Sequence, residues 1–391
     1  MARICVVREF YFPLDGRVRR EVLALAGAGH RVDVICMRRA GEARRERDRN
    51  VTILRLPVRR RRGGLGQQLY EYVAFALLAA LVVTGRSLRR PYDLVQVNTS
   101  PDWLVLSAAV AKLRGTPVLV DLEECMPEFF ATRFGTGVKH PGVRVMALIE
   151  RVAVQLADAA FTCTEQMREA FLSRGAPPAK IGVVLNSADE TAFDPSRYRR
   201  QTREPGRFTL ISHGTIEERY GLDTAIRAVA GLRDEIPGLR LRIYGEGSDR
   251  ERLVALVADL ELVNHVDFSD GFVPLDELVA AIAAADAGLV ATKRDPFRDL
   301  VHCEKMYDFI AMRLPVICSR TRSVLAYFPE ECFAYFDSDD DVDLARAIRE
   351  LHNEPQLAER LVDRAAAVIE PLRWPRVRQR YLELVASLIG R

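Results

Sequence analysis

Short apolar runs recur through the first half of the chain, at 4–7, 32–36, 51–56, 94–97, 118–121, 160–163 and 181–185, each of a length that suits a buried strand. Between most of them lie amphipathic stretches at helical spacing, among them 17–28, 102–113, 143–156 and 165–174. Alternation of this kind predicts a parallel sheet with helices over both faces. The apolar period stops over 189–205, DETAFDPSRYRRQTREP, which reads as a linker. It then resumes, with strands predicted at 208–212, 239–244, 265–268, 287–290, 315–318 and 333–336. Helices are predicted near 222–232, 249–260, 275–284, 304–312 and 341–351, followed by helical periods at 356–369 and 377–389. The expected architecture is α/β with two Rossmann-like domains, at 1–187 and 206–370, joined by a linker at 188–205. Ligands gather at the carboxyl ends of strands in such sheets, so a central cleft faced by both domains is the expected site.

Composition changes this picture little. The 391 residues are 49% hydrophobic and 28% charged, an ordinary globular balance, and the net charge of +3 is too small to point to nucleic acid. Seven cysteines are scattered without CxxC pairs or histidine clusters, which suggests neither zinc nor a disulfide framework and fits a reducing cytoplasm. No secretory leader is expected from the start, MARICVVREF. One stretch stands apart. Residues 69–85, LYEYVAFALLAALVVTG, are strongly apolar, preceded by Arg59, Arg60, Arg61 and Arg62 and followed by Arg86, Arg89 and Arg90. The run is shorter than the about 20 residues of a membrane span and carries Glu71, so a buried helix packed on the sheet is expected. The alternative is a basic, apolar surface at 59–90 that touches anionic membrane peripherally, on the inner face.

Several chemistries are excluded by missing motifs. No GxGxxG follows the first strand, and GxxxxGK[ST], GxSxG and HExxH are absent. No carboxylate cluster reads as a metal site in the loops after strands, so no metal is expected. Three segments remain. Gly16 and Arg17 stand where a loop hands over to a helix, which suits an anion or else is a plain turn beside surface arginines. Gly214 and Thr215 follow the first strand of the second half, with Arg219 able to place a forked cation on a diphosphate. The third runs from Asp299 through Leu300 and Val301 into a helix carrying Lys305 and Asp308. There a helix N-terminus and a lysine would face phosphate while carboxylates accept from sugar hydroxyls.

The stretches LRLRIYGEGSDRERL, VDFSDGFVPLDELVAAIAAADAGLV and KMYDFIAMRLPVICS, with HGT and RYGLDTAIRAV before them, resemble the donor domain of glycosyltransferase family 4. DGRVRREVLALAGAGHRVDVIC, YDLVQVNTSPDWLV and KIGVVLNSADETAF also resemble that family, and the likeness is collinear over nearly the whole chain. The resemblance implies a GT-B fold whose C-terminal helix, within 371–391, crosses back to the first domain. It implies a retaining reaction, a nucleoside diphosphate sugar as donor, and no metal or other cofactor. It also implies that Asp308 serves the ribose, that Asp299 with the Leu300 and Val301 amides serves sugar and phosphate, and that Phe272 and Val273 lie near the base. Lys305 matches the lysine of a PxK-x-x-E pattern.

Three departures stand out. Thr215 and Tyr220 occupy the positions of the usual basic pair, with Arg219 one place away as the substitute; Arg313 replaces a glycine. Where relatives read D-x-H-D-x-M-P-E, this chain carries Glu123 and Glu124. A carboxylate ordinarily only accepts hydrogen bonds, so these two are expected to bind or deprotonate an acceptor, or else to be plain loop carboxylates. The acceptor is a glycan, a lipid-linked sugar or a small metabolite. The competing readings are a non-catalytic sugar-nucleotide binder acting as a scaffold and, more weakly, a sugar-nucleotide epimerase.

Overall fold

The computed structural model describes residues 1–60, 65–198 and 206–390. Its contacts divide the chain into two units, Met1–Leu185 with Pro375–Arg391, and Asn186–Trp374. Arg61, Arg62 and the linker residues 199–205 lie outside the described residues.

The first unit holds β1 (Arg3–Tyr11), β2 (Arg31–Met37), β3 (Arg45–Asp48), β4 (Val51–Leu56), β5 (Leu94–Asn98), β6 (Val118–Leu122), β7 (Ala159–Thr162) and β8 (Ile181–Val183). They lie in the order β3-β4-β2-β1-β5-β6-β7-β8, parallel throughout except for β3 against β4. The middle strands are buried on both faces, which is why they read as continuous apolar runs. β3 was not predicted. Its four residues, RERD, are all exposed and carry no apolar alternation, a composition that guards a sheet edge against further pairing.

Helices α1 (Gly16–Gly27), α2 (Leu65–Arg89), α3 (Ala109–Leu113), α4 (Met126–Phe134), α5 (Pro141–Leu156) and α6 (Glu165–Ser173) join the strands. The predicted helix over 102–113 is a 3-10 turn at Asp102–Ala108 running into α3. The expectation of a buried α2 is corrected. Only a stripe of it, including Phe75, Ala79 and Val83, is buried, while Leu77 and Leu81 are 62% and 70% exposed. The C-terminal helix, Trp374–Ile389, belongs to this first unit from Pro375 onward. Tyr381 is fully buried there, its hydroxyl donating to Gln96 Oε1 at 2.7 Å and its ring 5.8 Å from Phe161.

The second unit holds β9 (Phe208–His213), β10 (Leu239–Tyr244), β11 (Val266–Phe268), β12 (Ala287–Val290), β13 (Val316–Ser319) and β14 (Ala334–Phe336), all parallel, in the order β11-β10-β9-β12-β13-β14. Its helices are α7 (Leu222–Leu232), α8 (Arg250–Asp259), α9 (Leu275–Ala283), α10 (Glu304–Ala311), α11 (Arg322–Tyr327), α12 (Asp341–Asn353) and α13 (Pro355–Ile369). Leu210, Ile226, Val229, Leu289 and Ile348 are among the core residues on which α7 and α12 pack. Gly288 lets α10 approach β12, since a Cβ there would fall 2.3 Å from the Phe309 ring. Arg313, at the end of α10, takes φ 54° where glycine is favoured.

Candidate functional site

In the first unit the polar residues gather where β1, β5 and β6 end, and nearly every cation there already has a carboxylate. Arg17 is 7% exposed and donates Nε and Nη2 to the two oxygens of Asp121 at 2.8 and 3.0 Å, while Nη1 reaches the Val184 carbonyl at 3.1 Å. Gln96 and Asn98 both donate to Glu21 Oε2, at 2.7 and 3.0 Å, and Asn98 also donates to Asp121 Oδ2 at 2.9 Å. Burial pushes the Glu21 carboxyl up to about 8, with Asp121 adding and Arg17 opposing. Arg17, expected to meet an anion, thus has its guanidinium held by carboxylates of its own unit.

Gly16 makes no steric demand, since a Cβ there would meet only Arg20 Nη1 at 3.7 Å. The helix N-terminus behind it is capped by Asp15, whose Oδ1 accepts from the Val18 amide at 3.1 Å and whose Oδ2 pairs with Arg8 at 2.7 Å. The chain's own carboxylate thus fills the place expected for an anion.

Glu123 and Glu124 follow β6. Arg8 Nη2 holds Glu123 Oε2 at 2.7 Å, while Glu123 Oε1 is buried with no partner among the described residues. Burial pushes this carboxyl well up, and Arg8 pulls against it. Glu124 Oε2 accepts from Ser100 Oγ at 3.2 Å. Sequence reasoning missed Glu9, which is 2% exposed on the extension of β1 beyond its apolar run. Burial lifts it to about 7 against the pull of Arg60 and Arg8, and its Oε1 has no partner among the described residues.

The second unit is arranged differently. Gly214, at φ 108°, follows β9; a Cβ there would meet nothing within 4 Å, but its amide already donates to the Tyr244 carbonyl at 2.9 Å. Gly214 and the exposed Thr215 therefore offer open space, and the Gly214 amide is not available to a phosphate. Beyond them three cations surround the Tyr220 ring, with Lys305 Nζ 4.9 Å, Arg298 Cζ 5.0 Å and Arg219 Cζ 5.5 Å from its centroid. Arg219 Nη2 pairs with Glu217 at 2.9 Å, leaving its Nε without a partner, as is Arg298 Nε. Lys305 is 8% exposed and has Ser212 Oγ at 3.4 Å. Among the described residues neither Lys305 nor Arg298 has a carboxylate at ion-pairing distance. Burial pushes the Lys305 ammonium below its ordinary value, and Arg298 adds to the push. An aromatic face returns about 0.5–2 kcal/mol per cation, less than the several kcal/mol that burying an ion costs. The cluster therefore holds buried positive charge that no carboxylate among the described residues fully offsets.

Asp308 Oδ2 lies 3.6 Å from His213 Nε2. Burial, then Lys305, drive His213 down to about 3, so its ring is neutral and this contact is not an ion pair. Asp299, expected to face the sugar, is engaged by its neighbours. Arg294 clamps its two oxygens at 3.0 and 2.8 Å, and the Arg322 amide donates to it at 3.0 Å. Despite burial, those donors hold its carboxyl below the usual range. The Leu300 amide closes a turn on the Phe297 carbonyl at 3.0 Å, and the Val301 carbonyl accepts from Ser323 Oγ at 2.8 Å, so the Leu300 N–H is not open to phosphate either.

Phe272, 66% exposed, and Val273 line an open recess of about 620 Å³ with Arg242, Tyr244, Asp267 and Asp270. The acidic run 337–341, DSDDD, also follows a strand. Its members are engaged internally, Asp339 with Lys293 and Thr224, Asp337 with Arg320, and Asp340 as the cap of α12. No group of three or more His, Cys, Asp or Glu among the described residues is arranged to hold a metal ion.

Residues 16–187 match the model of the glycosyl transferase 4-like domain, and residues 195–368 match that of the glycosyl transferases group 1. Together with two parallel-sheet units, this defines the class: a transferase of GT-B architecture. The chain belongs to the glycosyltransferases of family 4 type. It is 29% identical over 297 residues to the 2-deoxystreptamine glucosyltransferase of Streptomyces kanamyceticus, over 70% of this chain and 73% of that protein. Solved structures of the same fold include sucrose-phosphate synthase from Thermosynechococcus elongatus, with TM-score 0.78 and 20% identity over 100% of both chains. They also include Anabaena HepE in complex with UDP-glucose, with TM-score 0.72 and 17% identity over 99% of this chain and 100% of that one.

Proposed function

We propose that the chain transfers a glycosyl group, with retention at the anomeric carbon, from a nucleoside diphosphate sugar to an acceptor held by the first unit, and that it does so without a bound metal. The observation that carries this reading is the trio Arg219, Arg298 and Lys305 around Tyr220, two of its members without a counter-charge among the described residues. The two negative charges of a nucleotide sugar's diphosphate match the two cations, Arg298 and Lys305, that have no carboxylate among the described residues, Arg219 being paired with Glu217. As the glycosidic bond breaks, negative charge grows on the departing diphosphate, and preset cations stabilise it in the way a divalent ion would. Asp308 accepts from ribose hydroxyls in this reading, and the base lies on Phe272 in the recess. In the first unit, Glu123 is a buried carboxyl with an elevated affinity for protons and one unpartnered oxygen, suited to bind or deprotonate an acceptor hydroxyl. Glu124, the next residue, is a further acceptor of hydrogen bonds. Seven cysteines without a disulfide among them support a reaction in the cytoplasm.

A thermal-shift screen across UDP-, GDP-, ADP- and dTDP-sugars tests the reading, because a ligand that binds the folded state raises stability by mass action. One nucleotide series is expected to raise Tm, with UDP-glucose the first to try. A folded chain that responds to none of them defeats the proposal.

A further inference from the structure

Helix α2 carries two stripes of opposite fate. Every fourth residue on one side, Glu71, Phe75, Ala79, Val83 and Ser87, is buried in the first unit. Every fourth residue on the other side, Leu69, Val73, Leu77 and Leu81, is 54%, 44%, 62% and 70% exposed. A helix that packed fully onto its sheet would show a polar outer face. This one shows leucine instead, and the apolar surface continues beyond it. The segment Asp102–Ala108 packs against both α2 and α5 and exposes Leu106 at 52%, and α5 exposes Leu148 at 60%.

Charge frames the stripe. Arg59 and Arg60 precede α2, and Arg89 and Arg90 end it, all four exposed. The sole acidic residue of α2 is Glu71, which is buried, and the sole one of α5 is Glu150, buried against Arg174. The surface is therefore apolar along its length, basic at both ends, and without exposed carboxylates on either helix.

We propose that this face of α2 docks on the interfacial layer of an anionic lipid bilayer, with the helix lying flat in the membrane plane. Gly66–Arg89 is long and apolar enough to cross a membrane, but its buried stripe is packed on the first unit, so it cannot leave that unit to span. Lying flat, it sinks the leucines among acyl chains while the end arginines meet lipid phosphates. A second copy of this chain is the poorer occupant. Pairing two α2 helices in either direction sets basic ends against basic ends, with no exposed acid on the helices to answer them.

Co-sedimentation of the full chain with vesicles tests this, using phosphatidylcholine alone and phosphatidylcholine with about a third phosphatidylglycerol, at low and high salt. The native chain is expected to pellet with the anionic vesicles and to release in salt. Leu77→Asp with Leu81→Asp, and separately Arg89→Glu with Arg90→Glu, should each weaken partitioning at least about tenfold. Both pairs are exposed and outside the site, so their circular dichroism and their nucleotide-sugar thermal shift should match the native chain. That second readout keeps a failure of docking distinct from a failure of the donor reading. A native chain that stays in the supernatant, or variants that bind as well as it does, overturns the proposal. So does a native dimer that the paired Asp variant dissolves, which would make this face a contact between copies.

Discussion

The two units treat arginine in opposite ways. At the strand ends of the first, Arg17 is locked to Asp121 and Arg8 to Asp15 and Glu123, so each of these cations has its carboxylate. At those of the second, Arg298 and Lys305 stand buried against Tyr220 with no carboxylate among the described residues to pair them, and the surplus is cation. A region that neutralises itself is preorganised and needs no ligand to be stable. A region that buries uncompensated charge gives up stability of the free chain for affinity toward a specific counter-ion. The first arrangement suits a neutral, hydroxyl-bearing acceptor; the second suits a diphosphate.

The largest test of this contrast is stability without ligand. Arg17→Met strands Asp121 and Glu21 in the interior, a loss of about 3–5 kcal/mol that should lower the unfolding temperature by roughly 10 °C or more for a unit of this size. Arg298→Met removes a buried cation that has no carboxylate among the described residues and should leave the ligand-free chain as stable as before, or slightly more so. Calorimetry of the two variants checks both halves, and equal losses would erase the distinction between the units.

Glu123→Gln comes next. It keeps shape but removes the capacity to take up a proton, so turnover at saturating donor should fall by about 100-fold while the donor-induced thermal shift stays as in the native chain. Unchanged turnover and acceptor affinity would leave Glu123 as a loop carboxylate.

Most strands and helices of both units were legible from apolar spacing, because a strand buried on both faces and a helix buried on one leave strong periods; α7 lies at 222–232, where it was predicted. What failed had no apolar signal, as with the charged edge strand β3, or was too short to show a period, as with α11. α2 failed for the opposite reason: its apolar content was plain, but composition does not say which side is covered. The site was legible in part. Lys305 and Arg219 could be named from motif position, yet Arg298 sits in a loop that reads as surface, and only the fold carries it to Tyr220. The partners that hold Arg17 and Asp299, Asp121 and Arg294, were not visible as partners in one dimension.

Lys305→Met should weaken nucleoside diphosphate binding about 10- to 100-fold, the worth of roughly 1.5–3 kcal/mol for a hydrogen bond to a charged group. Its pH dependence carries a double sign. The folded-state ammonium titrates below the ordinary lysine value, so between those two values the unfolded chain binds more protons than the folded one. Stability of the free chain, native minus Lys305→Met, should therefore rise with pH across that window. Donor affinity should fall across the same window, because the diphosphate needs the proton that Lys305 is losing. Calorimetric titrations at several alkaline pH values, with and without nucleotide, read both trends. Trends of the same sign would mean that Lys305 does not meet the anion.

Phe272→Ala is the smallest and separates charge from stacking within the second unit. The ring is 66% exposed at the mouth of its recess, so its removal costs the fold little. If a base lies on it, the loss is that of one aromatic contact, about 0.5–1.5 kcal/mol, or a several-fold rise in Kd for the nucleoside diphosphate. Inorganic pyrophosphate has no base to stack, so its affinity should not change in Phe272→Ala and should fall in Lys305→Met. Competition titrations with both ligands on both variants give four numbers, of which three should move and one should not. A pyrophosphate affinity that drops in Phe272→Ala would place the ring against phosphate and move the base elsewhere.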